Sequence, residues 1–220
     1  MKLYGYWRSS ASYRVRIGLG LKGLSYEQVA VHLIKEGGAQ HSAEHKALNP
    51  MEQVPVLELS AEEAGHERGP VVRLTQSVAI LEYLNERYPE PPLLPSSAHL
   101  RARVRKLVEI VNSGIQPLQN LTLMNEIKRL GGDPFEFAKH ANERGLAALE
   151  AEASDAGGPF TVGDALSLAD VFLVPQIYSA KRFKVDLSAY PFIAAVANRL
   201  EELPAFAAAH PDKQPDAEPT

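Results

Sequence analysis

The sequence predicts an α/β unit followed by an all-α unit. Three observations predict it: strand and helix periodicities alternate in βαβ then ββα order up to Tyr88, four prolines crowd into 89–95, and apolar stripes beyond that point recur only at helical spacing. The expected division is an α/β domain over 1–88, a Pro-rich linker over 89–95, a helical domain over 96–210 and a loose, Pro- and charge-rich tail over 211–220.

Each element has its own signal. Lys2 to Trp7 is a short apolar strand that runs into Arg8-Ser9-Ser10-Ala11-Ser12, a hydroxyl-rich turn at a helix start. Val15, Leu19 and the set Ile17, Leu21, Leu24 fall at helical spacing, and Gly23 is placed to end that helix. Val29, Val31 and Leu33 alternate as a second strand, and a loop spans Lys35 to Asn49. Val54 to Leu59 and Val71 to Leu74 form a hairpin around a long polar turn, Ser60 to Gly69. A helix begins near Gln76-Ser77, turns Ile80, Leu81, Leu84 and Tyr88 inward, and stops at Pro89.

That order gives a four-stranded mixed sheet. Val54-Pro55 opens one hairpin strand and Gln76-Ser77 closes the other, so both lie at one end of the sheet. The Ser turn shares that end if the first strand pairs antiparallel with the third, and the long turn then lies at the other.

In the second part, Leu100, Val104, Leu107, Val108 and Val111 make one helical stripe, and Phe135 to Ala156 a second helix after the break at Gly131-Gly132-Asp133-Pro134. Ser167 and Asp170 fit a capping box that opens a third, and Pro191 to Leu203 is a fourth.

Composition narrows the function. The 220 residues are 45% hydrophobic and 23% charged with net charge -4, enough for a real core and no invitation to nucleic acid or a membrane surface. The start lacks a signal-peptide core and no apolar run approaches a membrane span, so a cytoplasmic protein is expected. With no cysteine, disulfides, thiolate metal sites and a protein-borne thiol nucleophile are all excluded.

The Ser turn is the expected centre of the chemistry. Ser9, Ser10 and Ser12 offer hydroxyls beside unpaired backbone N–H groups at the positive end of a helix dipole, a setting that stabilises an anion. Two other motif matches lead nowhere. Gly18 to Gly23 satisfies G-x-G-x-x-G, but a strand follows where a dinucleotide fold needs a helix; His41 and His45 sit at helical spacing with no further ligand cluster and read as exposed loop residues, so no metal is expected. Arg14 and Arg16 read as solvent-facing or ion-paired.

The chain resembles the zeta class of glutathione transferases, the group that includes maleylacetoacetate isomerase. The resemblance rests on Arg8-Ser9-Ser10, Ser12 to Ile17, Leu48 to Met51, Gln53-Val54-Pro55, Gln76-Ser77, Gly114 to Asn120 and Arg182 to Leu187, in order over nearly the whole chain. It implies a thioredoxin-like N-terminal domain that binds glutathione, a C-terminal helical domain that helps bind the electrophile, and a homodimer. It implies that Ser10 contacts the sulfur, although the residues alone leave Ser9, Ser10 and Ser12 open. The family usually carries Cys where this chain has Ala11, a change expected to alter packing and polarity at the sulfur more than turnover.

The resemblance also assigns the other glutathione contacts. Val54-Pro55, whose isomer the residues alone leave open, becomes a cis turn that pairs with the cysteinyl backbone, and Gln76-Ser77 holds the γ-glutamyl carboxylate. Gln40, Gln116 and Asn120 are weaker candidates, and Arg8 and Arg182 are the cations for a diacid substrate. The implied reaction is cis–trans isomerisation of a maleyl diacid. Maleylpyruvate, small α-halo acids and a binding module without turnover are the alternatives.

Overall fold

The computed structural model describes residues 1–66 and 68–218. Glu67, in the long turn, and Pro219 and Thr220, in the expected tail, lie outside the described residues. The chain divides into two compact units, one of Met1–Pro91 together with the chain from Pro204 onward, the other of Pro92–Leu203.

In the first unit, β1 (Lys2–Gly5), β2 (Glu27–Ala30), β3 (Val56–Leu59) and β4 (Val72–Thr75) form a sheet in the order β2-β1-β3-β4. β1 runs parallel to β2 and antiparallel to β3, with Tyr4 opposite Val56 and Val56 opposite Thr75. That register puts the end of β1, the start of β3 and the end of β4 at one edge, in agreement with the expectation from sequence. β2 ends before Leu33: Val31 N donates to Gly5 O at 2.7 Å, and then His32 Nδ1 accepts from the Ile34 and Lys35 amides at 3.2 and 2.9 Å, turning the chain away. The expected loop beyond it contains a short helix, α2 (Ala43–Leu48), capped by Ser42 Oγ.

Helices α1 (Ser10–Leu21) and α3 (Ser77–Arg87) cover the sheet. Val15, Leu19, Ile80 and Leu84 close on Leu3, Leu57 and Leu59, all essentially inaccessible. Each such side chain contributes about 1.5–3 kcal/mol of burial. The glycines of the discarded motif have a packing explanation: a Cβ at Gly18 would lie 2.2 Å from Leu81 Cδ2, and Gly23 takes φ +66° just past the helix end.

The second unit contains α4 (Ala98–Asn112), α5 (Leu121–Arg129), α6 (Pro134–Ser154), α7 (Leu168–Arg182) and α8 (Pro191–Glu201). α7 is its central helix, with Val171, Phe172, Leu173, Val174 and Ile177 buried, and it packs on α4 and α8. The Asp170 carboxylate accepts from Ser167 N at 2.8 Å, Ser167 Oγ at 3.1 Å, Thr161 N at 2.9 Å and Thr161 Oγ1 at 2.8 Å. Burial pushes this carboxyl up from its ordinary value, and those four bonds oppose the rise.

Two domain expectations need correction. The segment after Leu203 belongs with the first unit, since α9 (Pro204–Ala209) packs on α1 and Phe206 is fully buried. The described part of the tail is not loose: Pro211 and Gln214 are buried, Asp216 bonds to Trp7 and Gln28, and Glu218 bonds to His32 and Lys35. The proline segment is held as well. Pro91 O accepts from Lys22 Nζ at 2.6 Å within the first unit, and Leu93 O accepts from Leu168 N at 2.8 Å within the second.

Candidate functional site

At the sheet edge where β1 ends, the chain turns sharply, with Ser9 N donating to Tyr6 O at 3.0 Å. Ser9 is the N-cap of α1, and its Oγ accepts from Ser12 N at 3.2 Å. Ser12 is fully buried, with its Oγ 3.4 Å from the Tyr6 amide. Ser10 and Ala11 are the first two helical residues, half-exposed, and their N–H groups belong to the helix terminus that has no intrahelical acceptor. Arg8 is half-exposed, its guanidinium carbon 5.2 Å from the Trp7 ring centre.

Val54-Pro55 lies at the same edge and its peptide bond is cis. The preceding carbonyl, Gln53 O, is held by two buried donors, His45 Nε2 at 3.0 Å and Asn49 Nδ2 at 2.9 Å. His45 is therefore not an exposed loop residue as the sequence suggested; His41 is exposed and pairs with Glu52 at 2.5 Å. That bond is the chief reason the Glu52 carboxyl is held below its ordinary value.

Gln76 sits at φ +67°, a costly conformation for a residue with a Cβ, and its Nε2 lies 3.4 Å from Gln53 Oε1. Ser77 opens α3, buried, and its Oγ accepts from Arg14 Nη1 at 3.1 Å. With a lone pair of that oxygen so engaged, the hydroxyl keeps a proton that it can donate. Gln40 is buried, its Nε2 donating to Leu33 O at 3.2 Å, and its Oε1 has no hydrogen-bond partner among the described residues.

The remaining candidates belong to the second unit. Gln116 Nε2 donates to Gln176 Oε1 at 2.6 Å, in a network that Asn142 and Gln119 complete. Asn120 Oδ1 caps α5 through Thr122 N at 3.0 Å. Arg182, in the last turn of α7, is exposed with its guanidinium carbon 5.8 Å from the Phe183 ring centre.

Sequence reasoning missed Arg14 and Arg16. Both are buried at 2% exposure; Arg16 donates to Ala209 O at 3.0 Å, Trp7 O at 2.9 Å and Tyr6 O at 3.5 Å. The available signal was the apolar and small-residue run around them: a helix buried on every side leaves an arginine no solvent face.

A β1-α1-β2 and β3-β4-α3 unit whose Ser turn, proline loop and α3 start share one sheet edge, joined to a helical unit, defines the class. Family models for the glutathione S-transferase N-terminal domain and C-terminal domain match residues 1–86 and 135–204. The chain belongs to the glutathione S-transferase family. Within it the chain falls in the zeta class, with the maleylacetoacetate isomerases.

The maleylacetoacetate isomerase of Rattus norvegicus is 46% identical over 97% of this chain and 94% of its own. A crystal structure of maleylacetoacetate isomerase from Anaeromyxobacter dehalogenans 2CP-1, with glutathione bound in the active site, is 50% identical with a TM-score of 0.87, covering 99% of this chain and 97% of its own. A bacterial zeta-class maleyl pyruvate isomerase in its holo form is 42% identical with a TM-score of 0.90, covering 99% of this chain and all of its own.

Proposed function

We propose that this chain binds glutathione at the shared edge of its first unit and uses the sulfur to convert maleylacetoacetate into fumarylacetoacetate, a step of aromatic amino-acid breakdown, as a cytoplasmic homodimer. The observation that carries this reading is the placement of the Ser turn, Val54-Pro55 and Gln76-Ser77 at one end of the sheet, set by the Tyr4–Val56–Thr75 register.

Those segments suit the γ-glutamyl carboxylate, the cysteinyl backbone and the sulfur of the tripeptide. The hydroxyl of Ser77 and the first N–H groups of α3 receive the γ-glutamyl carboxylate, with the buried Arg14 guanidinium behind Ser77 adding positive potential. The Val54 backbone pairs with the cysteinyl residue as an added strand would. Gln40 Oε1, buried and unbonded, is an acceptor for a ligand N–H. Gln116 and Asn120 are lesser contacts reserved for ligand or substrate.

At the Ser turn the sulfur must ionise. A free glutathione thiol has a pKa of about 8.5, and lowering it by about two units takes roughly 2.7 kcal/mol of preferential thiolate stabilisation. A hydroxyl donor and a helix N-terminus together supply that scale. Ser10 is the assigned donor on the family pattern; Ser12 Oγ is buried behind the turn, and Ser9, whose Oγ caps the helix but keeps its proton, is the alternative. Ala11 leaves this edge without the family's usual thiol.

The thiolate then adds to the alkene carbon conjugated to the substrate carbonyl, and the π pair moves to oxygen as an enolate. The former double bond is now single and rotates. When the enolate reforms its carbonyl, the electron pair returns to make the trans double bond and expels the thiolate, with no net proton uptake. Arg8, next to the Ser turn, is the cation for a substrate carboxylate and the enolate charge, and Arg182 is kept as a second candidate cation on the resemblance alone.

The test is steady-state kinetics on maleylacetoacetate, maleylpyruvate and dichloroacetate with native protein and the Arg8→Ala and Ser10→Ala variants. Ser10→Ala is expected to lower kcat by about 10²-fold, the scale for loss of one donor to a developing anion. An undiminished rate moves the sulfur to Ser9, Ser12 or the backbone. The zeta-class maleyl pyruvate isomerase neighbour makes maleylpyruvate the competing substrate, and a higher kcat/KM on it would overturn the assignment.

A further inference from the structure

Trp7, immediately before Arg8 and Ser9, is held through both of its backbone groups, which belong to the two peptide planes that flank its Cα. Its carbonyl accepts from Arg16 Nη2 at 2.9 Å, and the same guanidinium reaches Ala209 O through Nε at 3.0 Å. Its N–H donates to Asp216 Oδ2 at 2.9 Å, across 209 positions of sequence. Asp216 Oδ1 accepts from Gln28 Nε2 at 2.8 Å. The segment carrying Asp216 is itself fixed: Gln214 Nε2 donates to Ala208 O at 3.0 Å and His210 O at 2.9 Å, and Glu218 bonds to His32 Nε2 at 3.2 Å and to Lys35.

β1 ends at Gly5, so the β-ladder does not set the orientation of the Tyr6–Trp7 peptide. That orientation aims the residues next in the chain: Arg8 lies over the Trp7 ring, and Ser9 and Ser10 come directly after it.

We propose that Asp216 is a positioning residue for the thiol-binding turn: its carboxylate fixes the Trp7 N–H, and through the Tyr6–Trp7 peptide, whose carbonyl accepts from Ser9 N at 3.0 Å, the places of Arg8 and the Ser9-Ser10 pair. The inference rests on the reading that glutathione sulfur sits at this turn. A carboxylate suits the task because a charge-assisted hydrogen bond is short and strong, and because its second oxygen is anchored by Gln28. Small displacements of catalytic groups weigh heavily on rate and lightly on affinity supplied elsewhere, and here the γ-glutamyl and cysteinyl parts are held by other segments.

The experiment compares native protein, Asp216→Ala and Asp216→Asn, each as the full chain. Asparagine keeps an oxygen for the Trp7 N–H, and a reversed Gln28 amide can accept from its nitrogen. In Asp216→Ala, kcat is expected to fall about tenfold with the glutathione KM within about twofold. The ultraviolet thiolate signal of bound glutathione should titrate at higher pH, and the Trp7 amide should exchange hydrogen faster. Asp216→Asn is expected to restore all three.

A native kcat and thiol titration in Asp216→Ala would overturn the proposal, as would equal losses in both variants or a loss that only tracks the folded fraction on a thermal melt. If native protein itself raises no thiolate signal with glutathione, the glutathione reading falls first and takes this inference with it. If native protein gives the signal and Asp216→Ala matches it, only the role of Asp216 falls.

Discussion

His45 carries its proton on Nε2, because the atom it faces, Gln53 O, can only accept. With Asn49 it holds the carbonyl that precedes Val54-Pro55, so the backbone proposed to pair with a cysteinyl residue is fixed by two side chains and not by β3, which starts only at Val56. Removing one of two such restraints loosens the loop without unfolding it. His45→Ala is expected to raise the glutathione KM about three- to tenfold, the worth of roughly one hydrogen bond, with kcat little changed. Isothermal titration with glutathione checks the binding side, and an unaltered affinity would mean Asn49 alone suffices. Single-residue positions were readable where a polar residue type sits beside a turn: Ser9 caps α1, Ser10 opens it and Ser77 opens α3. Roles were hidden where the task is to hold another backbone group. Nothing in the sequence around Arg14, Arg16 or His45 names the carbonyl or hydroxyl each one meets: Ser77 and Ala209 are distant in the chain, and Trp7 and Gln53, though only nine and eight residues from Arg16 and His45, meet them through non-repetitive backbone that no periodic pattern reports.

At the scale of elements, the start of α7 was legible because a capping box is local: Ser167 and Asp170 are three residues apart, and the apolar run begins at once. The structure adds what locality could not, that Thr161 donates twice to the same carboxylate. Asp170→Ala leaves two backbone N–H groups and two hydroxyls buried without their acceptor, a loss of about 3 kcal/mol or more in urea unfolding. Ser167→Ala removes one donor to that carboxylate and is expected to cost about 1 kcal/mol. Equal, small effects from both would show that water takes over the role of Asp170. Among the elements that went unread, α2 and α5 are short: α2 has six residues and α5 nine, with no fully buried position in α5. A helix with so little of itself in the core leaves a weak periodic signal, and its caps, Ser42 and Asn120, look like ordinary loop residues until the helix is seen.

Over the whole molecule, a mixed four-stranded sheet was legible, and the three polar segments were expected to share an edge if β1 paired antiparallel with β3; the Tyr4–Val56 register has that pairing. Chain order misled at the other end, where 96–210 were assigned to the helical domain and 211–220 to a loose tail. α9 returns to the first unit because α1 has a second apolar face to cover: Gly20 admits Ala205, whose Cβ would stand 3.3 Å from an added Cβ, and Phe206 is removed from water entirely. Sequence periodicity reports that a helix has an apolar face, never which distant helix receives it. The stability of the first unit should then depend on residues more than a hundred positions beyond its sheet. Phe206→Ala is expected to cost about 3–5 kcal/mol, as for other large-to-small changes at full burial, and a chain ended after Leu203 more, since Arg16 also loses the Ala209 carbonyl. Urea unfolding monitored by the fluorescence of Trp7, the single tryptophan and a first-unit residue, reads that unit directly. A shortened chain with an unshifted midpoint would show that α9 rests on the first unit without supporting it.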